Sequence, residues 1–103
     1  MTAVSNANTW SVTEGKGEAF AAAIVTAKGI HERLGAEVAV LQTQTGGIPA
    51  TLVYVTSFES GAAYGAFIDA LGEDEEWQQF WAQALIDRPA ELVQSALYSV
   101  VEI

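Results

Sequence analysis

Apolar and polar positions along this chain change their period several times, and each change marks an element. Residues 9–13, Thr-Trp-Ser-Val-Thr, alternate large apolar with small hydroxyl side chains, which puts Trp10 and Val12 on one face of a strand. Glu14-Gly15-Lys16-Gly17 follows as a turn. Over residues 18–34 the period lengthens. Phe20, Ile24, Ala27, His31 and Leu34 recur at three- and four-residue steps, a helical stripe with Ala23 and Ile30 at its edge. Gly35 supplies a C-terminal cap. Residues 37–45 and 51–58 read as two strands, and the Gly46-Gly47-Ile48-Pro49 link between them has the turn chemistry of a hairpin. Val53 and Val55 point one way, Leu52, Tyr54 and Phe58 the other. Neither strand is charged at its centre, so both faces of the sheet are expected to be covered.

Ser60 is a good N-cap for a second helix, with Tyr64, Phe67, Ile68 and Leu71 on one side. Beyond Gly72 the stripe slips in phase. Trp77, Phe80, Trp81, Ala84 and Leu85 share a face rotated by roughly a third of a turn at ~100° per residue. Glu73-Asp74-Glu75-Glu76 between the two segments looks like a new helix start whose acids complement the helix dipole. A kink or two separate helices is therefore expected between Leu71 and Trp77. Pro89 ends that region, and residues 96–103 read as a last strand. The order β-α-β-β-α-(α)-β gives one α+β domain over residues 1–103. It is a ferredoxin-like βαββαβ arrangement with a four-stranded antiparallel sheet and a second helical region broken near Gly72.

Charge and composition narrow the function. Thirteen acids face only four bases, Lys16, Lys28, Arg33 and Arg88, for a formal net charge of −9. Four scattered cations cannot build the basic patch that nucleic acid requires, nor one for an anionic membrane surface. The absence of cysteine excludes disulfides, thiolate metal sites and a cysteine nucleophile. The first eight residues lack the basic end and apolar stretch of a signal peptide, and the uncharged run 38–58 is interrupted by Gln42, Gln44, two glycines and Pro49. A soluble cytoplasmic protein is expected, with no nucleic-acid or membrane partner. Both faces of residues 52–58 are apolar and uncharged, yet the helices suffice to cover one. A homodimer formed through the sheet is the expectation.

Three stretches together resemble the dimeric α/β-barrel superfamily: the Glu14-Gly15-Lys16-Gly17-Glu18 turn into the first helix, the Phe58-Glu59-Ser60-Gly61-Ala62-Ala63-Tyr64 entry to the second, and the Asp74-Glu75-Glu76-Trp77 restart. The restart looks most like NIPSNAP-like members, and antibiotic-biosynthesis monooxygenases share the plan. The resemblance covers nearly the whole chain. It implies paired sheets across a two-fold axis, helices on the outer faces, and a ligand cleft between sheet and helices.

His31, the single histidine, falls inside the apolar stripe of the first helix, where it is a candidate general base facing a cleft. As a core histidine it would need only one internal hydrogen bond. In haem-degrading relatives an asparagine, a tryptophan and a histidine meet at the cofactor. Asn8, Trp77 or Trp81, and His31 are the counterparts by residue type, but the relatives' histidine lies on the second helix. No cofactor is expected on that ground. Trp10, Tyr54, Trp81 and Tyr98 are candidates to line an aromatic pocket for a flat organic ligand. Gln42 and Gln44 share one face of the second strand and become ligand donors if that face looks inward. Glu73 to Glu76 do not converge on a point, so no metal site is expected. Two functions follow: a small-molecule binder, as a cofactor-independent monooxygenase on an aromatic or polycyclic substrate, or a dimerisation or stress-response module without turnover. An enclosed space touching His31 separates them.

Overall fold

Residues 3–103 are described by a computed structural model, in the order β1 (Val4–Val12), α1 (Gly17–Arg33), β2 (Glu37–Gln42), β3 (Thr51–Phe58), α2 (Gly61–Glu73), α3 (Glu75–Asp87) and β4 (Ala90–Ser99). The strands form one antiparallel sheet in the order β2-β3-β1-β4. This is the ferredoxin-like α+β plan expected from the sequence. The helices stand on one face of the sheet. Among the described residues, no helix is long and apolar enough to cross a membrane.

Cross-strand partners assign the two faces. Asn8 pairs with Tyr54, Asn6 with Thr56, Val4 with Phe58 and Trp10 with Leu52 across β1 and β3. These residues look toward the helices. Their neighbours Ala7, Thr9, Val53, Val55, Ala39, Leu41, Ala96 and Tyr98 look the other way, and no element among the described residues covers them.

The core is concentrated at one end of the helix-bearing face, where Val4, Ala36, Phe58 and Phe67 pack with Leu34, Val38, Tyr64 and Leu71 around them. Fully burying a large apolar side chain of this kind contributes about 1.5–3 kcal/mol. Phe58 anchors the cluster, with ring centroids 4.9 Å from Phe67 and 5.3 Å from Tyr64. The other end of the same face, toward Trp10 and Leu92, is not filled.

The helices stop where the sequence says they should. Gly35, at φ 103°, takes the left-handed step after α1 that other residues avoid. The Ser60 hydroxyl accepts from the Ala63 amide at 3.1 Å and caps α2. Asp74 interrupts the second helical region with extended backbone (φ −81°, ψ 118°) and begins α3 by accepting from the Trp77 amide at 2.9 Å. Arg33 of α1 reaches both Asp74 and Glu76 at 2.9 Å. The acidic run is thus a helix start tied to α1. Among the described residues, no group of histidines and carboxylates converges on a metal position.

Three strand limits differ from the sequence reading. β1 starts at Val4, not Thr9, because Ser5-Asn6-Ala7-Asn8 has weak strand propensity but is bonded to strands on both sides. β2 ends at Gln42. Gly46 and Gly47 (φ 68° and 59°) turn the chain away, and residues 43–50 form a loop. β4 starts at Ala90, six residues before the expected start, and ends at Ser99. A bulge opposite Thr9 and Trp10 breaks the alternation that would reveal it.

Candidate functional site

The unfilled end of the helix-bearing face is a cleft of about 760 Å³ between the sheet and the three helices, within the size range of small-molecule sites. Its composition follows from the elements around it. The α1 stripe presents Phe20, Ile24, Ala27 and His31. The α3 stripe presents Trp77, Phe80, Trp81 and Leu85, because the phase slip at Asp74 turns that face toward the sheet across the cleft. Without the break these rings would turn to solvent. The floor is β1, β3 and β4, which contribute Asn6, Asn8, Trp10, Tyr54, Thr56 and Ser95. All three tryptophans of the chain line the cleft.

His31 is the polar centre of this arrangement. It is 7% exposed and lies among aromatic rings, with centroids 4.7 Å from Trp77, 5.5 Å from Phe67 and 5.5 Å from Tyr54. Its Nδ1 is 2.7 Å from the Tyr54 hydroxyl. Its Nε2 is buried and has no hydrogen-bond partner among the described residues. Burial lowers the imidazole from its ordinary 6.5 to about 4, so the ring is neutral near pH 7. Burial also pushes the Tyr54 phenol up, with the nearby Glu32 charge adding to the effect, so the phenol keeps its proton.

The pair offers Nε2 in two forms. With the phenol donating to Nδ1, Nε2 carries the ring hydrogen and donates to a ligand oxygen. With Nδ1–H donating to the phenol oxygen, Nε2 presents a lone pair and accepts a proton. A neutral imidazole on an apolar wall is a weak base toward a neutral molecule. It gains strength when the molecule becomes an anion beside it, because the imidazolium is then paired.

Asn8 and Ser95 extend the polar row across the sheet. The Ser95 hydroxyl donates to Asn8 Oδ1 at 2.5 Å, which leaves the Asn8 Nδ2 hydrogens uncommitted among the described residues. At the rim, Arg88 closes α3 in the left-handed conformation (φ 47°, ψ 59°), costing about 1–3 kcal/mol for a residue other than glycine. The turn is pinned from the β1–α1 connection. Thr13 donates to the carbonyls of Pro89 (amide, 2.9 Å) and Arg88 (hydroxyl, 2.8 Å), and Lys16 Nζ donates to the Asp87 carbonyl.

Of the residues singled out in the sequence, His31, Tyr54, Trp10 and Trp81 are brought together on the cleft. Gln42 and Gln44 are not. Gln42 is exposed at the end of β2 and Gln44 is exposed in the following loop, so they share no strand face. Tyr98 lies on the opposite side of the sheet, 55% exposed. The sequence reading passed over Asn6, Thr56, Ser95 and Arg88. Asn6 had a signal, since it stands four residues before Trp10 and shares its face, with Asn8 between them, once β1 is extended back to Val4. Ser95 and Arg88 had none, being placed by a bulged strand and a helix end.

No protein-family model matches this chain, and no curated protein matches it in sequence. Solved structures do match it in fold. A NIPSNAP family protein of unknown function from Agrobacterium tumefaciens superposes with a TM-score of 0.73 at 17% identity, covering 95% of this chain and 87% of the other. An uncharacterized NIPSNAP domain protein from Burkholderia xenovorans gives 0.73 at 19% identity over 97% and 94% of the two chains. A Bordetella bronchiseptica protein, provisionally assigned as an antibiotic biosynthesis monooxygenase, gives 0.65 at 14% identity over 100% and 99%. At these identities the likeness is one of architecture: the chain has the same ferredoxin-like fold as NIPSNAP family proteins and as this monooxygenase-like protein.

Proposed function

We propose that this protein binds a planar, mainly apolar organic molecule in the cleft between the sheet and α3. The observation that carries the reading is the buried Nε2 of His31, unpartnered and set among aromatic rings on the cleft wall. A buried polar nitrogen left without a partner costs about 1–3 kcal/mol. Nε2 is closed to water behind the Trp77 ring, and a ligand hydroxyl or carbonyl that displaces that ring to reach it removes that cost. The tryptophans offer faces on which a fused ring stacks.

The chemistry that suits this wall is cofactor-independent oxygenation of an aromatic or polycyclic substrate. His31 takes the proton of an acidic C–H, and the resulting carbanion, delocalised into its ring system, reacts with dioxygen. One oxygen atom enters the substrate as a carbonyl and the other leaves as water. The fold shared with a monooxygenase-like protein supports this reading, as does the neutral imidazole. The uncovered apolar sheet face supports a homodimer formed through the sheet, with the clefts on the outer sides.

The test is quenching of tryptophan fluorescence by 2-naphthol. Wild type is expected to bind saturably, and His31→Ala to weaken binding about tenfold while leaving the oligomeric state unchanged. Oxygen uptake with an anthrone, lost in the same variant, tests the chemistry. Equal naphthol affinity in wild type and His31→Ala removes the role of the imidazole. A haem titration with a sharp Soret shift abolished by His31→Ala overturns the cofactor-free reading.

A further inference from the structure

The four cations of this chain are not used alike. Lys28 pairs with Glu32, and Arg33 with Asp74 and Glu76. Lys16 donates to the Asp87 carbonyl. Arg88 alone has a guanidinium that makes no ion pair and no hydrogen bond among the described residues, and it stands on the rim of the cleft. Its position is built rather than casual. The backbone is left-handed at a helix end where glycine is the relaxed choice, and Thr13 holds the carbonyls of Arg88 and Pro89 from the neighbouring turn. Glu91 lies on the same rim and forms no ion pair with it. In a chain of net charge −9, Arg88 at the mouth of an apolar cleft, beside Lys16 on the neighbouring Asp87 carbonyl, is a local attraction for an anion.

We propose that Arg88 selects ligands bearing an acidic group, so that the molecule bound in the cleft is an aromatic acid. The proposal rests on the planar-ligand reading above and adds its polarity. The ring system lies along the α3 tryptophans, the carboxylate projects to the rim, and the Arg88 fork takes its two oxygens side by side, a geometry that lysine does not reproduce.

The experiment compares 2-naphthoate with its neutral counterpart 2-naphthamide by calorimetry, on wild type and Arg88→Gly. Glycine suits the left-handed backbone, so this variant is expected to melt no lower than wild type, and loss of binding is not loss of fold. Wild type is expected to favour the acid by about tenfold, the scale of one charge-assisted contact. Arg88→Gly is expected to erase the preference and leave the amide affinity unchanged. Raised salt should weaken only the acid. Equal binding of acid and amide by wild type overturns the role of Arg88 and leaves the planar-ligand reading standing. So does a preference that survives Arg88→Gly. Failure of both probes to bind removes the planar-ligand reading, and this inference with it.

Discussion

At the scale of the residue, His31 ties stability to pH. Its folded form resists protonation down to about pH 4, whereas an unfolded chain takes up the proton near 6.5. The unfolded state therefore binds more protons between those values, and stability falls as pH drops from 6.5 toward 4. Urea unfolding across this window is expected to show the loss in wild type, and His31→Gln to show a flatter dependence. Carboxylates titrate in both proteins, so the difference between them isolates the imidazole. Because the chain has one histidine, its ring-proton NMR shift reports the same titration directly. A midpoint near 6.5 would mean that the ring is wet.

At the scale of the element, the Asp74 break places three aromatic residues on the cleft. Asp74 serves two neighbours at once, capping Trp77 and receiving Arg33. Asp74→Ala loses both, whereas Asp74→Asn keeps an oxygen for the cap and drops the charge. The alanine variant is expected to melt lower than the asparagine variant. Amide exchange should quicken at residues 75–78 while the sheet stays protected. If the two variants behave alike, the ion pair rather than the cap sets the helix start. Exposed ion pairs usually contribute little, which favours the cap. The phase slip that exposes this break was legible in the sequence. Its consequence, a wall of tryptophans facing the sheet, needed the helix to be folded back.

At the scale of the whole molecule, the chain is too flat for its length. It measures 43 × 37 × 17 Å, with a radius of gyration of 14.1 Å, against roughly 13 Å for a compact chain of this size. Its accessible surface is 6766 Å², where the scaling for folded monomers gives roughly 5,600 Å². The excess is comparable to one side of a standard protein interface. The uncovered sheet face explains part of it, with Leu41 and Tyr98 each more than half exposed and no charged side chain at the centre. Light scattering at micromolar concentration is expected to give about twice the 10.9 kDa chain mass. Val55→Lys, at the middle of that face, is expected to return it to the monomer while leaving the cleft intact. A wild-type monomer would sink the dimer.

Local chemistry by itself determined most of the elements. The helix over residues 17–33, the β3 strand, the caps at Gly35 and Ser60, and the break at Asp74 each follow from periodicity or from one residue's preferred backbone. His31 was marked as inward-facing by the same means, because a helical stripe fixes direction without reference to anything distant. Tertiary structure decided the rest. β1 and β4 run where pairing on neighbouring strands, not propensity, holds the backbone, so their limits were hidden. Gln42 and Gln44 lost their shared face because the chain turns between them. Tyr54 could be assigned a face, but its bond to Nδ1 of His31 joins residues 23 apart, and only the packing of α1 on β3 creates it. Arg88 reaches the rim through a helix end pinned by Thr13, 75 residues away. Periodicity carries information over a few turns of chain, while a site is assembled from residues whose meeting depends on the whole fold.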